Sequence, residues 1–142
     1  MKLKEIMTRG PACCDPEARL DKVAHLMIEN DCGAIPVVDG TRLVGMVTDR
    51  DIVTRAFSRT RNPVDVPVKS IMSTDVLSAD EETFVDAARM LMEERRVRRL
   101  PVTRHGMVVG IVSLADLVAV LPGAQIGELL DAVSRPRQVV AA

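Results

Sequence analysis

The chain has 142 residues, 47% of them apolar and 27% charged, and a net charge of −1. That supplies enough apolar side chain for a packed core and no general pull toward nucleic acid. There is no Trp and no Tyr, and the aromatics are Phe57 and Phe84. A base-stacking platform for single strands is therefore excluded, and the core must be built from Val, Leu, Ile, Met and Ala.

The opening Met1-Lys2-Leu3-Lys4-Glu5 lacks the apolar core of a signal peptide. No apolar run approaches a membrane span, so a cytoplasmic protein is expected. A short leader runs from Lys4 to Thr8, and an extended piece follows near Ala12 to Cys14. Asp15-Pro16 reads as a helix start, with Asp as N-cap and Pro in the first turn. Leu20, Val23 and Met27 recur at helical spacing, and Gly33 is the expected stop. A hairpin comes next, Ala34 to Asp39 and Leu43 to Thr48 about the turn Asp39-Gly40. Gly45-Met46-Val47-Thr48-Asp49-Arg50-Asp51 then leads into a short closing helix. Residues 59–66, rich in Arg, Asn and Pro, read as a linker.

Sixty-five positions on, the pattern returns. Lys4, Ile6 and Met7 fall on Lys69, Ile71 and Met72, Asp15 on Asp80, and Leu26-Met27 on Leu91-Met92. Pro36-Val37 falls on Pro101-Val102, Gly45 on Gly110, and Asp51 on Asp116. An extended piece is expected near Val76 to Ser78, and a helix from the spacing of Val85, Ala88 and Met92. A second hairpin, Leu100 to Thr103 and Met107 to Ser113, flanks His105-Gly106. Arg98 stands where the first copy has Gly33, so the second helix is expected to end differently. Two copies of this length favour a fused pair over a solenoid. The expected units are 1–58, a linker 59–66, 67–122, and a tail 123–142. Neither half is long enough for a good core alone, so one shared core is expected. In the tail, Ile126, Leu129, Leu130 and Val133 fit one helical stripe, which covers either its own body or a partner.

Each copy thus places a hydroxyl and a carboxylate three residues apart at a strand-to-helix corner: Thr48 with Asp51, and Ser113 with Asp116. A hydroxyl donates and accepts, an ionised carboxylate accepts only, and together they suit a diol such as a ribose. Helix capping is the plainer reading of the same residues. Nothing nominates a catalyst. His25 and His105 lack a Ser or Cys partner at a recognisable spacing, Asp49 has no counterpart in the second copy, and no Gly-rich phosphate loop is present. Cys13, Cys14 and Cys32 have no zinc-type spacing and read as buried thiols, with no metal site expected. A cysteine-based redox or metal role is the alternative.

Ile35-Pro36-Val37-Val38-Asp39 followed by Gly45 to Ile52, and Leu100-Pro101-Val102-Thr103 followed by Gly110 to Leu117, resemble a tandem pair of CBS domains. The resemblance covers about residues 2 to 122 and is to small stand-alone bacterial members. It implies an α/β (α+β) fold of two β-α-β-β-α units about a pseudo-twofold axis. It also implies clefts between the copies for an adenosyl nucleotide (AMP, ADP, ATP, NAD or S-adenosylmethionine), held as a regulatory ligand and not as a required cofactor. Thr48 and Asp51 would hold one ribose, and Ser113 and Asp116 another. Backbone at Met46-Val47 and Ile111-Val112 would meet the base.

The same resemblance implies a homodimer that signals to an unidentified effector protein; from the composition, neither nucleic acid nor membrane is expected as a partner. The alternative is a dimeric scaffold with empty clefts. Arg95, Arg96, Arg98 and Arg99 precede Leu100-Pro101, whereas the first copy has Asn30, Asp31, Gly33 and Ala34. By resemblance, Arg98 and Arg99 would reach phosphates of the ligand whose ribose sits on Thr48 and Asp51. The Asp51 cleft is therefore expected to favour a phosphorylated ligand. A solvated, basic helix end is the plainer reading of these arginines.

Overall fold

The computed structural model describes residues 1–136. In chain order it contains α1 (Leu3–Ile6), β1 (Thr8–Arg9), α2 (Leu20–Glu29), β2 (Ala34–Asp39), β3 (Arg42–Thr48) and α3 (Asp49–Asp51). A π-helical turn, Ile52–Ala56, continues α3, and two 3-10 turns follow at Pro63–Asp65 and Val68–Ser70. Then come β4 (Ala79–Asp80), α4 (Val85–Arg95), β5 (Arg99–Arg104), β6 (Met107–Ser113), α5 (Leu114–Val118) and α6 (Gly123–Ser134). The α/β character is as the pattern predicts, and both hairpins fall where the alternation and the turn residues place them.

The chain forms two compact units, and neither is a continuous stretch. One comprises Met1–Arg9, Leu77–Arg104 and the described residues from Val109 onward; the other comprises Gly10–Val76 and His105–Val108. Each therefore includes the leader that precedes the other repeat. In the first unit, β1 pairs antiparallel with β6 through Thr8 and Ile111, and β4 pairs parallel with β5 through Ala79 and Val102. In the second, β2 and β3 form the antiparallel hairpin, Ser73 bridges Met46, and Cys14 bridges Val37 in parallel. These bridges are equivalent pair by pair at the 65-residue offset.

The repeat glycines explain how the leaders fit. A Cβ on Gly45 would run into Met72 Sδ and lie 3.1 Å from the Ser73 carbonyl oxygen. A Cβ on Gly110 would run into Met7 Sδ and lie 3.1 Å from the Thr8 carbonyl oxygen. Each glycine is thus the flat spot on which a leader methionine rests. A leader lysine fastens the contact in each unit: Lys4 Nζ lies 2.5 Å from Glu82, and Lys69 Nζ lies 2.5 Å from Glu17.

The shared core expected from the length of each half is not what forms. Two clusters occur, one in each unit. Leu3, Met7, Val85, Ala88, Met92, Leu100, Val102, Val112, Leu117 and Leu129 build one. Leu20, Val23, Met27, Ile35, Val37, Val47, Val68 and Ile71 build the other. Each half gains the apolar surface it lacks from the exchanged leader: Leu3 and Met7 in one case, Val68 and Ile71 in the other. A fully buried aliphatic side chain contributes about 1.5–3 kcal/mol, so two imported residues matter to so small a core.

Two local expectations are corrected. Asp15-Pro16 does not start a helix. Asp15 Oδ1 accepts from the Glu17 amide at 2.8 Å and its carbonyl accepts from the Ala18 amide at 2.9 Å, so it closes a turn, and α2 begins at Leu20. Asp80 does the same with the amides of Glu82 and Thr83. Asp favours such turns for the same reason it favours caps, its short acceptor side chain.

Gly33 does not stop α2 either. The left-handed residue is Asp31 at φ 46°, and α4 ends the same way at Arg96, φ 52°. The two helices therefore end alike. Gly33 serves closeness instead: a Cβ there would stand 2.8 Å from Asp49 Oδ2.

The tail stripe divides. Leu129 and Val133 are buried in the first unit, where α6 packs on α4; Leu130 is exposed. Arg89 of α4 holds that contact, pairing with Asp86 at 2.8 Å, Glu93 at 2.6 Å and Glu128 of α6 at 3.8 Å. The tail therefore covers its own body. Of the expected tail, residues 137–142 lie outside the described residues. Among the described residues, no helix is long and apolar enough to cross a membrane.

Candidate functional site

Both strand-to-helix corners form, and both are capping boxes. Thr48 Oγ1 accepts from the Asp51 amide at 3.1 Å, and the Thr48 amide donates to Asp51 Oδ2 at 2.9 Å. Ser113 Oγ accepts from the Asp116 amide at 3.3 Å, and the Ser113 amide donates to Asp116 Oδ2 at 2.7 Å. The plainer reading of the motif is thus realised: β3 ends and α3 starts on the first pair, β6 ends and α5 starts on the second. A box of this kind holds the carboxylate in one rotamer, which is also what a ligand site requires.

The corners differ in what the box leaves over. Ser113 also donates its hydroxyl proton to Asp116 Oδ2, at 3.0 Å. Thr48 has no such bond, so its proton has no acceptor among the described residues. A diol presented to Thr48 and Asp51 would meet one free donor and one carboxylate oxygen, Oδ1, not used by the box. At Ser113 and Asp116 the donor is already committed.

A second difference is a cation. Arg55 Nε lies 3.7 Å from Asp51 Oδ1, while Arg55 Nη1 donates to the Ile71 carbonyl at 3.0 Å and to Ser73 Oγ at 3.3 Å. The equivalent position in the second copy is Val120. Arg55 lies outside the hydroxyl-to-aspartate motif that the two copies share. The signal available was its place one helical turn later, on the same face.

The remaining predicted residues stand as follows. Val47 and Val112 are fully buried core side chains, so only their main chain could face a ligand. The Met46 amide donates to the Ser73 carbonyl at 2.9 Å, and its carbonyl accepts from the Ser73 amide at 2.9 Å. That leaves one carbonyl lone pair and the half-buried side chain for a base. Ile111 is likewise paired, with Thr8. Arg98 and Arg99 are exposed and carry no ion pair among the described residues. The Arg98 carbonyl accepts from the Leu114 amide at 2.9 Å, which sets its backbone beside the Ser113–Asp116 corner of its own unit. Arg96 donates to the Pro136 carbonyl at 2.8 Å.

The cysteines are free thiols. Cys14 is buried, and burial pushes its thiol up to about 11; burial raises Cys13 as well. Neither is tuned toward the thiolate that redox or metal chemistry uses. Among the described residues, no group of three or more His, Cys, Asp and Glu gathers as a metal site would require.

Comparison with known proteins adds the following. A sequence profile of the CBS domain matches residues 3–58 and 68–123. Hypoxic response protein 1 of Mycobacterium tuberculosis is 33% identical over 134 residues, covering 94% of each chain. A crystal structure of Hypoxic Response Protein I with two coordinated zinc ions superposes with a TM-score of 0.79 at 33% identity, covering 86% of this chain and 100% of that one. A crystal structure of CBSX2 in complex with AMP gives a TM-score of 0.72 at 25% identity, covering 83% and 93%.

Proposed function

Because this chain belongs to the CBS-domain family, we propose that it is a regulatory module that senses an adenosyl nucleotide and has no catalytic role of its own. Tandem CBS domains are regulatory modules that often bind adenosyl ligands, and the similar CBSX2 was crystallised with AMP. The observation that carries the reading to this chain is the Thr48–Asp51 corner. A hydroxyl proton without an acceptor among the described residues and an Oδ1 that the box leaves unused are what a ribose diol needs, in a half-buried position fixed by the capping box. Ser113 and Asp116 offer the same acceptor with the donor spent, so the first corner is the stronger of the two. Arg98 and Arg99, exposed and without an ion pair among the described residues, are the cations we assign to the ligand's phosphates. Binding regulates only if it favours one of two states of the protein, read by an effector protein. A cytoplasmic homodimer fits this role.

Calorimetric titration of AMP, ATP, NAD and S-adenosylmethionine into the wild type, Asp51→Asn and Asp116→Asn tests the proposal. Asn retains the acceptor that caps the helix and removes the charge. The larger loss is expected in Asp51→Asn; equal losses would remove the asymmetry. No heat and no change in melting temperature with any of the four would leave a scaffold as the better description. The chain has no Trp or Tyr, so co-purified adenine would stand out directly in its ultraviolet spectrum.

A further inference from the structure

Arg55 is held in three ways, by Asp51 Oδ1 at 3.7 Å, the Ile71 carbonyl at 3.0 Å and Ser73 Oγ at 3.3 Å. All four residues belong to one compact unit. The contacts use Nε and Nη1. Nη2 has no partner among the described residues, and the side chain remains 42% exposed. A guanidinium held through Nε and Nη1 keeps the two N–H donors of Nη2 for an anion. Fixing it beforehand removes most of the rotamer entropy that a free arginine would lose on binding.

The local charge also points to an anionic ligand. A bare carboxylate beside the ribose position repels phosphates, and Asp116 is such a carboxylate, with no cation in ion-pair range among the described residues. At Asp51 the arginine cancels that charge locally. The carboxylate can then accept from a hydroxyl while the guanidinium donates to a phosphate oxygen. Asp51 has room for both, since a carboxylate offers about four acceptor sites.

We propose that Arg55 is a specificity-determining residue of the Asp51 corner, selecting an adenosyl ligand that carries phosphate over one that does not. The inference rests on the adenosyl reading above and adds to it a residue outside the hydroxyl-and-aspartate motif. Arg55 is distinct from Arg98 and Arg99 in that its guanidinium is already braced against the carboxylate.

The test uses the full chain in an Asp116→Asn background, so that one corner is read, with ATP and adenosine as probes. Arg55→Met should weaken ATP about tenfold, the scale of one hydrogen bond to a charged group, and leave adenosine within about twofold. Arg55→Lys, which keeps the charge and loses the braced planar group, should fall between. Equal weakening of both probes would show that Arg55 only shapes the corner, and no change in either would show that it does not meet the ligand; each overturns the proposal. If Arg55→Met does not fold, Arg55→Lys decides alone: a loss confined to ATP supports the role, and equal losses or none refute it. If the background protein itself binds neither probe, the adenosyl reading of this corner fails and the role of Arg55 fails with it. That outcome is distinct from binding that ignores Arg55.

Discussion

The two compact units are the same device with different charges attached. Both seat a leader methionine on a flat glycine, Met72 on Gly45 and Met7 on Gly110, and both fasten the leader with a lysine on a glutamate. Beyond that they diverge. The unit holding the second repeat adds Lys2 on Glu82, a two-pronged Arg104–Glu81 pair and the α6–α4 contact. The unit holding the first repeat adds Arg19 on Asp21 and Asp65, and Arg55 on Asp51. Both halves use extra charges to hold themselves together, and the half with the first repeat also sets one against its corner aspartate. What the halves share is the fold; what they do not share is which charges are added to it.

The largest expected effect breaks the comparison at α6, which only one unit has. Leu129 is fully buried, and Leu129→Ala should cost about 2–5 kcal/mol in chemical denaturation. If the loss is below about 1 kcal/mol, α6 is an accessory and not part of the core. The glycines come next and should behave alike. Gly45→Ala and Gly110→Ala should each cost about 1–3 kcal/mol through overpacking. Trimming the facing methionine, Met72→Ala or Met7→Ala, should recover part of that in a double-mutant cycle. Unequal costs would show that the two seats are not equivalent.

Asp51→Asn sharpens the contrast between corners. It should weaken ATP by about tenfold or more, the scale of one charged hydrogen bond, while Asp116→Asn has the smaller effect by calorimetry. The smallest effect is the pH response of the leader clasp. Hydrogen bonds from Lys2 and then Lys4 hold the Glu82 carboxyl down at about 2, against an ordinary 4.5. A depressed carboxylate contributes stability that is full above its unfolded value and is lost as pH falls from about 4.5 through about 2. The difference in melting temperature between wild type and Glu82→Gln should therefore be constant above pH 5 and shrink below it. The pair is exposed, so the change is small, and a difference that grows on acidification would contradict the clasp.

Much of this architecture is legible in the sequence because it depends on local pattern. Alternation and the Asp39-Gly40 and His105-Gly106 turns set the hairpins, and the spacing of Leu20, Val23 and Met27 sets the buried face of α2. Asp15-Pro16 misleads because one side chain serves turns and caps equally. The helix ends at Asp31 and Arg96 carry no glycine to announce a left-handed residue; the chain's reversal into the next strand imposes that conformation. The exchange of leaders is invisible for another reason. Repeat alignment shows that Met7 and Met72 are equivalent, not which glycine each of them covers. The corner residues are readable as a motif, but the bond from the Ser113 hydroxyl to Asp116, which Thr48 does not repeat toward Asp51, and the bracing of Arg55 are matters of ångströms.

Since each leader completes the unit built on the opposite repeat, a break in the backbone near Thr60 would divide the chain into two interdependent pieces. Residues 1–60 would carry most of one body and the missing edge of the other, and residues 61–142 the reverse. Separately expressed, neither piece should be stable; mixed, they should restore each other, which makes this small chain a natural starting point for a split reporter.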